Sequence, residues 1–311
     1  MARDPLPLLV DGVLLRREAL DFGVDDDDLT KAVREGALVR VRQGAYADRR
    51  VWDRLPAQER LLLLKTAVIR MYGGGLISHD SAVVLHGGPD WGLDLEHLHL
   101  TRPDGTGRTQ ARIVHHRGVA HPTDLHLPGG GSVTSVARTV VETTIRADSV
   151  ELGVVLGSHF LRTKQVNSDE LRDAHTTALH HRGGLVLTPA LALADPRLGS
   201  VLESRCWYMF HRHGLRGVIP QYPVVVMGEL FFLDFAIPKL GVWVETDGKE
   251  KYVKYRRPGE SIVDTVRRER RREILVREKE GLEPVRFDWW DMGRPEECLR
   301  RIYQAAQRRA A

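Results

Sequence analysis

Residues 231 to 252, FFLDFAIPKLGVWVETDGKEKY, set three carboxylates into two runs that otherwise read as β-strands. Asp234 interrupts the first run, and Glu245 and Asp247 interrupt the second. Stripping the water from a charge costs several kcal/mol, so each acid requires a partner. A four-residue connection, Pro238-Lys239-Leu240-Gly241, pairs residue 237 with 242 and sets Asp234 opposite Glu245. Opposed Cβ atoms in such a pair lie roughly 4.5–5.5 Å apart, where like charges repel unless something positive stands between them. Asp247 projects from the same face as Glu245. Three carboxylates on one face match the hard oxygen ligands of Mg²⁺, which keeps several waters and needs few protein ligands; Mn²⁺ is the expected substitute. Lys249 and Lys251 follow, and a lysine beside such an ion can orient or deprotonate a water and offset charge on a pentavalent phosphate. A competing reading pairs Glu245 and Asp247 with arginines of the segment 266–273 and makes Asp247-Gly248 a plain turn.

The surrounding chain must position these groups. At 311 residues it has room for two or three domains, and 42% hydrophobic with 28% charged residues is ordinary for a globular protein. No apolar run reaches the roughly 20 residues of a membrane span, and MARDPLPLLVDG lacks a signal peptide's regions, so the cytoplasm and no membrane partner are expected. Two cysteines exclude a disulfide framework and a cysteine-rich zinc module. The net charge of +4 is uneven. In VRRERRRE, residues 266–273, Arg267 with Arg271 and Arg268 with Arg272 form i,i+4 pairs that make a phosphate-facing stripe. A solvated helix face accounts for the same charges.

LLRREAL, the acidic run Asp25 to Asp28, DDLTKAVREG and ALVRVRQGAYAD read in order as helix, turn, helix and hairpin. That is the order of a winged helix, and the phrase VRVRQGAYA resembles the N-terminal domain of antitoxins of the abortive-infection type. Such a domain reads DNA through its second helix. Here four aspartates open that helix, and Arg40 and Arg42 on the wing are the better phosphate contacts. A protein-docking or dimerisation module is the alternative, with a toxin or another protein as partner.

Residues 51–195 read as an α/β middle domain. AQERLLLLKTAVIRMY and ISHDSAVVLHGG have helical spacing, LEHLHLTR and ARIVHHRG alternate as strands, and ISHDSAVVLHG is similar to the middle part of the same antitoxin-like proteins. His97, His99, His115, His116, His121 and His126 could converge on adjacent strands, but they lack HExxH spacing or cysteine partners, and no metal is expected there. LTPALALADPRLGS, residues 187–200, reads as a linker, and LGSVLESRCWYMFHRHGL as a helix with Glu203 at the edge of its apolar face. Trp289 and Trp290 follow an expected last strand and are expected to pack in the core.

Asp, a hairpin, Glu-x-Asp and a nearby lysine follow the plan of the PD-(D/E)xK nuclease fold. Residues 196–311 resemble a branch of it, the endonuclease-like domains allied to very-short-patch repair endonucleases. LESRCWYMFHRHGL, Gln221, FLDFAIPKLGVWVETDGKEKY and RRERRREILVREKEGLEPVRFDWWDM carry the resemblance in that order. It implies Asp234 as the central metal carboxylate and Glu245 with Asp247 as the pair on the next strand. It implies Glu203 as a supporting acid, Gln221 as a polar neighbour, and Lys249 or Lys251 in the motif lysine's role. Asp247 stands where the simple pattern has its lysine, and KY stands where many relatives carry a histidine. The whole reads as an α+β multidomain chain: winged helix over 1–50, middle domain over 51–195, and a restriction-endonuclease-like mixed sheet flanked by helices over 196–311. The function expected is a Mg²⁺-dependent DNA endonuclease. The alternatives are a DNA-binding regulator with an inactive nuclease-like domain, and action on RNA.

Overall fold

The computed structural model describes residues 4–105, 107–178, 183–226, 228–247, 271 and 273–310. The fold is mixed α+β, with three sheets among the described residues. It divides into two compact units, one of residues 1–149 and 166–187, the other of residues 150–165 and 188–311. The first 50 residues therefore share a unit with the segment that follows them, where the sequence suggested a boundary.

In the first unit, β1 (Leu14–Leu15), α1 (Arg16–Asp21), α2 (Asp26–Arg34), β2 (Leu38–Arg42) and β3 (Ala45–Asp48) form a small sheet of order β1-β3-β2 beside two helices. Asp25 caps α2 by accepting from the Asp28 amide at 2.8 Å, and Asp26 to Asp28 fill its first turn, where negative charge complements the helix dipole. Leu14, Val24, Leu29, Leu38 and Tyr46 close this core. Next come α3 (Arg49–Arg54), α4 (Ala57–Tyr72), β4 (Leu76–Ile77), α5 (His79–Leu85), β5 (Leu98–Arg102), β6 (Thr109–Gln110), β7 (Ile113–Arg117), β8 (Leu125–His126), β9 (Ser132–Val133) and α6 (Val136–Ala147). The six strands order as β6-β7-β5-β4-β9-β8. Leu61, Leu64 and Val68 of α4 pack on Leu98, Leu100 and Ile113 of the sheet. After α7 (Val150–Arg162), which belongs to the second unit, α8 (Ser168–Ala178) returns to the first, where Ala178 packs on Val141 of α6.

The second unit continues with α9 (Leu187–Leu193), α10 (Val201–Arg212), β10 (Ile219–Val226), β11 (Glu229–Ile237), β12 (Val242–Thr246), a helix through residues 273–280, β13 (Glu283–Phe287) and α11 (Pro295–Ala310). Residues 187–193, read from their proline as linker, are helical, with Pro189 in the first turn where its missing N–H is harmless. The strands order as β10-β11-β12-β13; the first three are antiparallel and β13 runs parallel to β12. Gly241, at φ +64°, closes the turn between β11 and β12. One face of the sheet carries Phe235, Val244 and Phe287 against Cys206 and Phe210 of α10 and Ile302 of α11. The other carries Val224, Leu233 and Trp243 against Val276. Trp289 and Trp290, expected in the core, are 40% and 68% exposed. They lie beyond the end of β13, where the chain turns out of the sheet. Among the described residues no helix is long and apolar enough to cross a membrane.

Candidate functional site

The register of the second sheet places the expected acids at one level. Phe235 pairs with Val244 and Ile237 with Val242, the offset expected from a four-residue connection. Continued by one residue, it sets Asp234 beside Glu245, and Glu245 pairs in turn with Arg286 of β13. On the other side, Pro220 pairs with Phe235 and Tyr222 with Leu233, so Gln221 flanks Asp234. Gln221, Asp234, Glu245 and Arg286 thus form a row across all four strands. Glu203 joins it from α10, its Oε2 accepting from Gln221 Nε2 at 3.0 Å and from the Gly199 amide at 2.8 Å. Gln221 holds φ +51°, a conformation that a non-glycine residue adopts at a cost and that interrupts the ladder at this level.

The ladder also opens at Asp234. A regular continuation would pair Thr246 with Leu233; instead the Thr246 amide and hydroxyl both donate to Asp234 Oδ2, each at 2.7 Å. The carboxylate fills the place of a backbone carbonyl where the two strands separate. Asp234 and Glu245 are each 8% exposed, and Glu203 is 6%. Leu233, unpaired on the β12 side, packs with Trp243, where Glu245, Glu273, Val276, Pro284 and Arg286 join them around a recess. Arg286 bonds Glu273 at 2.7 Å and stands 3.9 Å from Asp247, whose amide donates to Phe287 O.

The expectation of three acids on one face therefore resolves into two arrangements. Asp234 lies between strands, bonded by Thr246, while Glu245 borders the recess and Asp247 is ion-paired at the strand end. Among the described residues no three His, Cys, Asp or Glu side chains converge as a metal cage. A pair of carboxylates suffices for Mg²⁺, since that ion keeps most of its waters, and hard carboxylate oxygens are its preferred donors. Asp234 and Glu245 supply donors of that type at one register level of the sheet. The arginines of 266–273 foreseen as partners of these acids lie, except Arg271, outside the described residues; among those described, Asp247 stands 3.9 Å from Arg286 of β13, a residue inside the last quoted motif that was given no role there. Thr246 was missed as well, although its place between Glu245 and Asp247 makes it the residue that can reach back across the hairpin.

Lys249, Lys251, Arg267, Arg268 and Arg272 lie outside the described residues. Arg271 is exposed. On the hairpin of the first unit, Arg40 is exposed, with its guanidinium 5.8 Å from the Tyr46 ring centroid. Arg42 is not a free phosphate contact: it is 8% exposed and turned against Tyr72, whose hydroxyl it bonds at 3.2 Å. β2 is irregular between these two residues, which turns the second arginine inward.

A second polar constellation joins two of the histidines foreseen on adjacent strands to His79, which the sequence reading left out. On one side of the six-stranded sheet, His99 Nδ1 lies 2.8 Å from His116 Nε2, and the His116 ring stacks on His79 with centroids 3.6 Å apart. Asp94 lies 2.8 Å from His97 and 3.5 Å from His99, and the buried Asp80 is held by Arg146 at 2.7 Å. Burial first, and then the neighbouring imidazoles or Arg146, lower the histidine pKa values: His99 to about 3, His116 to about 4, and His79 well below its usual value. Burial pushes the Asp80 carboxyl up against the pull of Arg146. His79 has φ +51°, and the neighbouring His115 has a buried ring nitrogen without a partner. The missed signal was ISHDS, whose histidine sits at the start of α5 facing the strands. No family model matches the sequence, and no curated protein matches it.

Proposed function

We propose that the second unit is a Mg²⁺-dependent, nuclease-type phosphodiesterase acting on DNA. The row Gln221–Asp234–Glu245–Arg286, with Glu203 bonded to its first member, carries this reading. It brings together Gln221, Asp234, Glu245 and Glu203, which the motif resemblance had named separately. Asp234 and Glu245 would hold the ion, which supplies a polarised water and a Lewis acid for the leaving oxygen.

The protein's own groups prepare that level of the sheet. Thr246 occupies one oxygen of Asp234 with two hydrogen bonds and so fixes the direction of the other. Glu203 fixes Gln221 as a neutral polar group beside it. Arg286 offsets the acids at the strand end and lies where a phosphate oxygen could reach a cation. Arg40 on the hairpin of the first unit is a backbone contact of the kind a winged helix uses, and with it that unit would supply targeting.

A second reading rests on Arg286, whose bonds to Glu273 and approach to Asp247 also describe a site satisfied without metal. The protein would then be a DNA-binding regulator that keeps the nuclease shape. Cleavage decides. Plasmid and single-stranded DNA are incubated with Mg²⁺ or Mn²⁺ and wild type, Asp234→Asn or Glu245→Gln. Nicking by wild type alone is expected, and absence of cleavage from every substrate would select the regulator.

A further inference from the structure

Beyond Arg286 the chain leaves β13 and exposes two consecutive tryptophans. Exposed indoles are rare on a protein surface without a partner, because each withholds a large apolar face from burial. These two are held rather than loose. Asp288 Oδ1 accepts from the amides of Trp290 and Asp291, Asp291 Oδ2 accepts from the Asp288 amide, and Arg301 binds Asp291 at 2.9 Å. The Arg205 guanidinium lies 4.8 Å from the Trp289 ring centroid, and Arg205 stands two residues after Glu203 on α10. Trp290, at 68% exposure, presents the larger open surface, and Arg294 beside it is exposed.

Their place matters as much as their exposure. β12 and β13 run parallel, and their carboxyl ends meet where the Asp247 amide bonds Phe287 O, three residues from Trp290. Ligands of open sheets bind outside such carboxyl ends. Aromatic faces interleaved with arginines are what a single strand of nucleic acid requires, since every base can stack and every phosphate can meet a cation.

We infer that Trp290, with Trp289 and Arg205 behind it, is a stacking platform for an unpaired nucleobase, so that the proposed nuclease acts on single-stranded or locally opened DNA. The inference rests on the nucleic-acid reading above. It places the stacked base within a few residues of the Asp234–Glu245 level, so the platform would set which phosphate lies over the acids.

Binding of the full chain, in chelator, to a fluorescent single-stranded oligonucleotide tests it. A second strand of the same length with abasic sites carries the same phosphates and no stacking faces. Wild type should prefer the base-bearing strand by about tenfold, in line with the roughly 1–3 kcal/mol measured for one stacked base. Trp290→Ala should lose that preference, and Trp290→Phe should keep most of it. A Trp290→Ala protein that is folded and still discriminates as wild type does would overturn the platform and leave the nuclease reading standing. Failure of wild type to bind either strand would sink both.

Discussion

The two units bury ionisable groups beside a sheet, and they do so by opposite means. In the second unit the carboxylates at the row meet donors: Thr246 on Asp234, Gln221 and Gly199 on Glu203, Arg286 near Asp247. In the first unit the histidines shed their protons, held neutral by burial and by one another, with Asp80 and Arg146 as a true ion pair beside them. A group kept neutral by crowding makes the fold answer to acid. The two arrangements satisfy buried groups differently, and each can be broken by itself.

The largest effect is expected at Asp80. Its side chain is fully buried, so Arg146→Met leaves a buried carboxylate without its cation, at a cost of about 3–5 kcal/mol. Denaturant midpoints of the variant would show it as early loss of the first unit's transition. Next comes Asp234→Ala, which strands the Thr246 amide where the ladder opens and costs about 1–3 kcal/mol. Asp234→Asn keeps an acceptor there and should cost less, so the pair of variants separates the structural role of Asp234 from its charge.

Acid sharpens the contrast. The folded pKa values of His99 and His116, about 3 and about 4, lie below the unfolded value near 6.5. The unfolded chain therefore takes up protons first, and stability falls as pH drops from about 6.5 toward these folded values, by about 1.4 kcal/mol per pH unit for each histidine. Above pH 7 these groups contribute no slope. His99→Gln should flatten the acid limb by about one proton, as read from stability measured across pH 4.5 to 7. The smallest effect is expected at Arg286, whose side chain is 46% exposed: Arg286→Gln should change stability by about 0–1 kcal/mol while weakening DNA binding measurably.

Strand pairing was the most legible part of the sequence. The acids in two β-patterned runs and the length of the intervening connection set the register that the second sheet adopts, because a tight turn leaves little freedom in pairing. The acidic cap of α2 was equally local, and the structure places it as composition suggests. What failed was face assignment. Alternation assumes a regular ladder, and at Asp234 the ladder opens, so the carboxylate turns into the gap instead of onto a face. Arg42 failed in the same way, through an irregularity in β2. Trp289 and Trp290 were assigned to the core because they follow a strand, a rule that fails where the chain turns out of the sheet directly after it. The convergence of His99 and His116 was legible from two alternating strands, whereas His79 was not, because only the six-stranded topology brings the start of α5 against them.

Calorimetric titration of the full chain with Mn²⁺ tests the central claim most directly, with wild type beside Asp234→Asn and Glu245→Gln at pH 7.5. Wild type should give a binding isotherm that both substitutions abolish while the thermal unfolding midpoint stays close to wild type. Equal binding by all three proteins, or no heat from wild type, would contradict a metal held at the Asp234–Glu245 row. The acids would then be parts of the fold.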